Sequence, residues 1–255
     1  MPQLEQLVTA FDLPPEKAKE FFRSKKIKVT EAYDDITAKM HTRAFTVAGV
    51  TAATLLTDIK NELQEALDNG ESFQEWKKNV RAKLGDTGWS SEKYDKSTDA
   101  NGKTTYTKVE DVPSWRWELI YRQNMQTALQ AGRYLNQQAT IEQRPYLQFI
   151  NINDNRSSKI CPQYSDLVAR ADDAVWSAIY PPNHFRCRSR VRSMSERQAE
   201  REGVKILTEK QFEVLPMPEK GFKVNPASNW EPDLSKLDPV FKKSVETHIA
   251  EKSKQ

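Results

Sequence analysis

Trp117-Glu-Leu-Ile-Tyr-Arg-Gln-Asn-Met-Gln-Thr-Ala-Leu-Gln-Ala-Gly-Arg-Tyr134 reads as one long helix. Trp117, Ile120, Tyr121, Asn124, Ala128, Gly132 and Leu135 recur every three or four residues, so they share one face. Pro113 stands where such a helix opens. Gly132 falls inside the stripe, which marks close helix packing rather than a stop. The period changes at Tyr146: Leu147, Phe149 and Asn151 alternate with Gln148 and Ile150, the pattern of a strand. A long helix followed directly by a strand places the junction of two kinds of architecture near residue 140.

Upstream of that junction the chain reads as helical. Ala18, Phe21 and Phe22 follow Pro14-Pro15 at helical spacing, and Thr30 with Glu31 is a candidate start for a short helix through Met40. Val47, Val50, Leu55, Ile59, Leu63 and Leu67 suggest a longer one, closed by Asn69-Gly70. Ser72 is a candidate N-cap for a helix carrying Phe73, Trp76, Val80 and Leu84. Residues 86–111 break the pattern, and Asn101-Gly102 between Lys/Thr/Tyr-rich flanks predicts a surface loop or hairpin. Downstream, a loop-rich segment leads to Pro181-Pro182, then a second strand-like run from Arg186 to Arg192. Ser195 with Gln198 predicts a capped helix. Five prolines from Pro216 onward predict an extended arm with a short helical end near 239–251. The expected class is α+β: a helical region over 1–140, a small α+β module over 141–215, and an extended C-terminal tail over 216–255.

Composition narrows the function. The chain has 255 residues, 37% of them hydrophobic and 29% charged, with 39 basic against 36 acidic side chains and a net charge of +3. That balance excludes a protein that coats nucleic acid through overall charge alone. The longest uncharged run, Ala44–Thr57, is 14 residues, short of the roughly 20 a spanning helix needs; no membrane partner and no signal peptide are expected. Two cysteines suit a reducing compartment and exclude a disulfide scaffold.

Several segments together resemble the phage Mu F-like head-morphogenesis family. These are the helix 117–134, then Asp154-Asn-Arg156, Cys161 and Pro181-Pro182-Asn-His184-Phe-Arg-Cys187-Arg. His41-Thr-Arg-Ala-Phe-Thr-Val-Ala48 and Ala66-Leu-Asp-Asn-Gly70 are similar to its N-terminal part. Gly221-Phe222, Asn225-Pro226 and Trp230-Glu-Pro-Asp-Leu234 are similar to its C-terminal part. The resemblance implies a minor head protein of a Mu-like tailed phage or prophage, acting in procapsid assembly. Its implied partners are the portal protein and major capsid or scaffold proteins, with packaged double-stranded DNA as a further one. Its implied place is the virion, in the head interior or at the portal vertex, and the host cytoplasm during assembly. Many members end the motif as Cys-Arg-Cys, whereas this chain has Cys187-Arg188-Ser189.

Four residues could hold a metal. Cys161, His184 and Cys187 are N/S donors of the kind zinc prefers, a closed site needs four, and Asp154 is the candidate fourth ligand. Alternatively the thiols are small buried hydrophobes, His184 bonds backbone carbonyls, and Asp154 with Arg156 forms an Asx-type turn with a salt bridge; a disulfide is the third reading. An enzyme is not expected, since no phosphate-binding Gly loop, His-Glu-x-x-His or Gly-x-Ser-x-Gly is present. A DNA-binding virion protein and a metal-dependent nuclease are the alternatives. Finally, Arg186, Arg188, Arg190 and Arg192 alternate with small residues. On a strand they would share one face and call for an acidic partner, either internal (Asp166, Asp172, Asp173), the DNA backbone or an acidic capsid surface.

Overall fold

In the computed structural model, the residues described are 16–50, 52–84, 93–98, 104–109 and 114–228. The Pro14-Pro15 helix start, the Asn101-Gly102 turn and the tail beyond Ser228 lie outside them. The order is α1 (Glu16–Ser24), β1 (Lys26–Ile27), α2 (Ala38–Arg43), β2 (Ala44–Phe45), α3 (Ala53–Asn69) and α4 (Phe73–Leu84). Then come β3 (Lys93–Thr98), β4 (Thr104–Val109), α5 (Ser114–Ala139) and β5 (Tyr146–Ile150). The chain continues through β6 (Val168–Arg170), α6 (Val175–Ile179), β7 (Arg190–Met194), α7 (Glu196–Glu202) and α8 (Glu209–Glu213). The class is α+β, as expected.

Local chemistry sets the helix ends. Gly70 adopts the left-handed conformation (φ 70°) that closes α3. Ser72 and Glu75 form a reciprocal capping box at the start of α4: the Ser72 hydroxyl accepts from the Glu75 N–H and the Glu75 carboxylate from the Ser72 N–H. Ser195 caps α7 through the Gln198 N–H. The expected helix from Thr30 is instead α2, capped by Thr37, because Thr30 is taken into a bridge with Val50. That bridge also holds Val50 out of α3, though Val47 and Val50 are buried as apolar residues should be. β3 and β4 pair antiparallel, as the hairpin reading requires.

Two cores result. The first joins α1, α3, α4 and the apolar stripe of α5 around Phe21, Phe22, Trp76 and Trp117. The second fills the face of the sheet β6-β5-β7 with Phe149, Tyr164, Trp176 and Tyr180. Tyr134 on α5 packs against both. α1 crosses α5 at Gly132, where a Cβ would stand 2.6 Å from the Ala18 nitrogen; only glycine permits that approach. The arm is without helix or strand over 216–228, but it lies along the protein rather than leading away. The Asn225 N–H donates to Ser177 O, and Lys220 pairs with Asp34.

β7 is an edge strand, and α5 covers it. Gln126 and Gln130 both donate to Ser189 O at 3.1 Å, Gln137 donates to Val191 O at 2.9 Å, and Arg144 just beyond the helix donates to Ser193 O at 2.6 Å. Every second carbonyl of this segment thus meets a side chain instead of water or another strand.

Gly132→Ala should lower stability by on the order of 1–3 kcal/mol, since α1 must move off α5 to admit the methyl group. A urea titration followed by tryptophan fluorescence will show this; an unchanged midpoint would mean that the helix crossing is looser than described.

Candidate metal centre

Two loops converge at one end of the second core. Cys161 opens a 3-10 turn, Cys161–Tyr164, and its N–H is held by the Ser158 hydroxyl at 3.1 Å. His184 and Cys187 sit on one turn in which the Cys187 N–H reaches His184 O at 3.3 Å. Arg186 between them has φ 61°, a left-handed conformation that a non-glycine residue adopts only under local constraint. It folds the chain back so that both ligand side chains face Cys161.

The donor atoms of Cys161, His184 and Cys187 all lie within 4.8 Å of one another. The two sulfurs are 3.8 Å apart and unbridged. A tetrahedral zinc with metal–sulfur bonds near 2.3 Å sets its sulfurs about 3.8 Å apart, so the separation suits a shared metal. Ser189 follows two residues later; its hydroxyl donates to Asn151 Oδ1 at 3.0 Å and also lies within hydrogen-bonding reach of the Cys161 sulfur. The position at which the sequence resemblance implies a third cysteine therefore does face the cluster. It carries an oxygen there, a weaker zinc ligand than a thiolate.

The electrostatics fit a site that holds one thiolate readily. The hydrogen bond from Cys161, then that from His184, hold the Cys187 thiol well below its ordinary range despite burial. The same bond to Cys187 and burial push Cys161 up. Burial acts to lower His184, but its hydrogen bond to Cys187 and the charge there outweigh this and raise it. Its Nδ1 lies 2.7 Å from Phe185 O, which orients the ring and leaves the other nitrogen for a metal.

Asp154 is not part of the group. Arg188 donates to both its oxygens, at 2.8 and 2.5 Å, and Asp154 accepts from the Arg156 N–H at 3.0 Å. It is an Asx-type turn with a salt bridge, and the Arg188 guanidinium holds its carboxyl far below the usual carboxylate range. The pair still serves the site, because Arg188 separates Cys187 from Ser189 and the bridge fixes that backbone to the loop at 154. The four arginines do not share one strand face, since β7 starts only at Arg190. Arg188 is taken by Asp154, and Arg192 by Glu202 at 2.7 Å and Gln148 at 2.5 Å. Asp172 pairs with Arg170. Arg186 and Arg190 are exposed and make no ion pair among the described residues.

Residues 57–192, from α3 into β7 and including Cys161, His184 and Cys187, match the family described as Phage Mu protein F like protein. The chain belongs to that family. It is 32% identical over 207 residues to the putative capsid assembly protein F of Escherichia phage Mu, which covers 81% of this chain and 46% of that protein. It is 34% identical over 166 residues to the Mu-like prophage FluMu F protein of Haemophilus influenzae, covering 65% of this chain and 38% of that one. The chain thus spans less than half the length of these relatives. No solved structure matches it.

Protein purified without chelator should carry close to one zinc per chain, and Cys187→Ser should abolish it. Asp154→Asn should keep the metal while lowering the melting temperature, an outcome incompatible with Asp154 as a ligand. Ser189→Cys should make the bound zinc markedly slower to yield to EDTA. Metal analysis finding no zinc in the unsubstituted protein would leave the thiols as buried apolar groups.

Proposed function

We propose that this chain is a non-enzymatic head protein of a Mu-like phage or prophage, acting in procapsid assembly alongside the portal and the capsid or scaffold proteins. It would work in the host cytoplasm and remain in the virion head, in the interior or at the portal vertex. The observation that carries the reading is membership of the Mu F-like family, with a relative named as a putative capsid assembly protein. The described helices include none long and apolar enough to cross a membrane.

The site supports a structural rather than a hydrolytic role. Cys161 and Cys187 are 1% and 4% exposed, and the one candidate carboxylate is committed to Arg188. A hydrolytic metal site keeps an open position and a general base within reach; here the group itself contains no carboxylate. A zinc bound by these residues would cross-link the loop at 161 to the turn 184–187. Those loops then form a rigid surface for docking.

A second reading, contact with packaged DNA, is favoured by one observation. Arg186 and Arg190 extend from the rigid module with no ion pair among the described residues, and a guanidinium suits phosphate.

The protein should sediment with procapsids in cells making the other head proteins, and mass spectrometry of gradient-purified heads will test that; its absence would overturn the reading. Arg186→Gln with Arg190→Gln should weaken head incorporation or DNA association in a salt-dependent way while leaving the melting temperature within about a degree. Arg188→Gln should do the reverse, because it breaks an internal pair.

A further inference from the structure

Cys161 and Cys187 are the only two cysteines of the chain, and 26 positions of sequence separate them. Their sulfurs nevertheless stand 3.8 Å apart, in contact and unbridged. A disulfide bond is about 2.05 Å long, so the two need only close a short gap that nothing occupies. The two loops differ in freedom. Cys161 starts a 3-10 turn and its N–H is held by the Ser158 hydroxyl at 3.1 Å. Cys187 ends a surface turn in which Phe185 and Arg186 are exposed. The closing movement therefore falls on the turn 184–187. The surroundings are also polar. The hydroxyls of Ser158 and Ser189 lie within hydrogen-bonding reach of the Cys161 sulfur, and His184 within reach of the Cys187 sulfur. Cysteines packed in wholly apolar surroundings are inert; these two are not so placed.

We propose that Cys161 and Cys187 are a peroxide-reactive pair that closes to an intrachain disulfide, and that this bond and a bound metal are alternative cross-links of the same two loops. The oxidant is hydrogen peroxide, small enough to reach a nearly buried thiol. The sulfur of Cys187, the more exposed of the two, takes one peroxide oxygen and becomes a sulfenic acid. The O–O bond breaks, and the thiol proton leaves with the departing hydroxyl as water. The Cys161 sulfur then attacks the sulfenic sulfur. An S–S bond forms, the S–O bond breaks, and the hydroxyl leaves with the Cys161 proton as a second water. Two thiols lose two electrons in all, and one peroxide is reduced to two waters. A sulfur in a disulfide is no longer a thiolate ligand, so a metal held by the pair is released as the bond forms. The loop at 161 thus stays tied to the turn 184–187 by metal in reducing surroundings and by the disulfide in oxidising ones. A head protein assembled in the cytoplasm and released in the virion, as proposed above, meets both conditions in turn; only this occasion for the exchange rests on that reading.

The full chain, purified without chelator, is treated with hydrogen peroxide, denatured in an alkylating agent and weighed by mass spectrometry. Before peroxide both thiols should alkylate. After it neither should, the chain should be lighter by two hydrogens, and Cys161 and Cys187 should appear in one linked peptide that dithiothreitol separates. The oxidised chain should melt several degrees above the reduced, metal-free chain, because the bond restrains the unfolded state. Cys161→Ser should instead hold a dimedone-reactive sulfenic acid at Cys187, which fixes the order of attack. Zinc, where it is bound, should be released one for one with the disulfide formed. A disulfide that forms in protein carrying no zinc would remove the zinc reading and support the pair by itself. Two alkylatable thiols after peroxide, a sulfinic acid in place of the linked peptide, or disulfides only between chains would overturn the proposal. Zinc retained by the oxidised chain, or an oxidised chain that melts no higher than the reduced one, would overturn the exchange of one cross-link for the other.

Discussion

The row of side chains from α5 and its C-terminal extension onto the edge of β7 is the contact on which the remaining structure depends. A three-stranded sheet is small, and an unpaired edge invites pairing with another chain. Here the carbonyls of Ser189, Val191 and Ser193 are each taken by Gln126 and Gln130, Gln137 and Arg144. A buried carbonyl left without a partner costs about 1–3 kcal/mol, so the register between helix and strand is strongly specified. Gln137 is doubly committed, since its Oε1 accepts from the Tyr180 hydroxyl at 2.8 Å. One helix therefore belongs to both cores: its apolar stripe builds the first, and its glutamines fix the second.

That division explains what was legible in the sequence. Repetition and punctuation were readable: the stripe on α5, the alternation at 146–151, the N-cap Ser72, and Gly70 past the end of α3. Gly132 was readable as a close approach because a glycine amid good helix formers costs stability unless something is gained by its smallness. The glutamines were not, because polar residues on a helix look the same whether they face water or a strand edge. β6 has three residues and pairs with the middle strand over that length, too short for an alternating pattern to register.

The metal group was legible as residue types but not as a set. Cys161, His184 and Cys187 converge, whereas Asp154 goes to Arg188. Asp154 stood as the candidate fourth ligand, but the guanidinium of Arg188, next to Ser189, offers its carboxylate two charge-assisted hydrogen bonds, and the carboxylate is committed there. The arginine alternation misled for a related reason. Period two indicates a shared face only where the backbone is extended, and the left-handed Arg186 breaks it before β7 begins.

The second core also revises what a metal would do for this protein. A small module rich in loops invites the idea that zinc substitutes for a core. Yet Phe149, Tyr164, Trp176 and Tyr180 are fully buried there, together with Leu147, Val175 and Ile179, and Trp176 bonds Arg170 O at 2.7 Å. Such a core does not need an ion to form. Of residues 185–187 in the turn 184–187, only Cys187 belongs to it: Phe185 and Arg186 are exposed, and Arg186 is in a disfavoured conformation. A metal tether between Cys161 and that turn would therefore act locally, holding in place the residues that carry Phe185 and Arg186 to the surface.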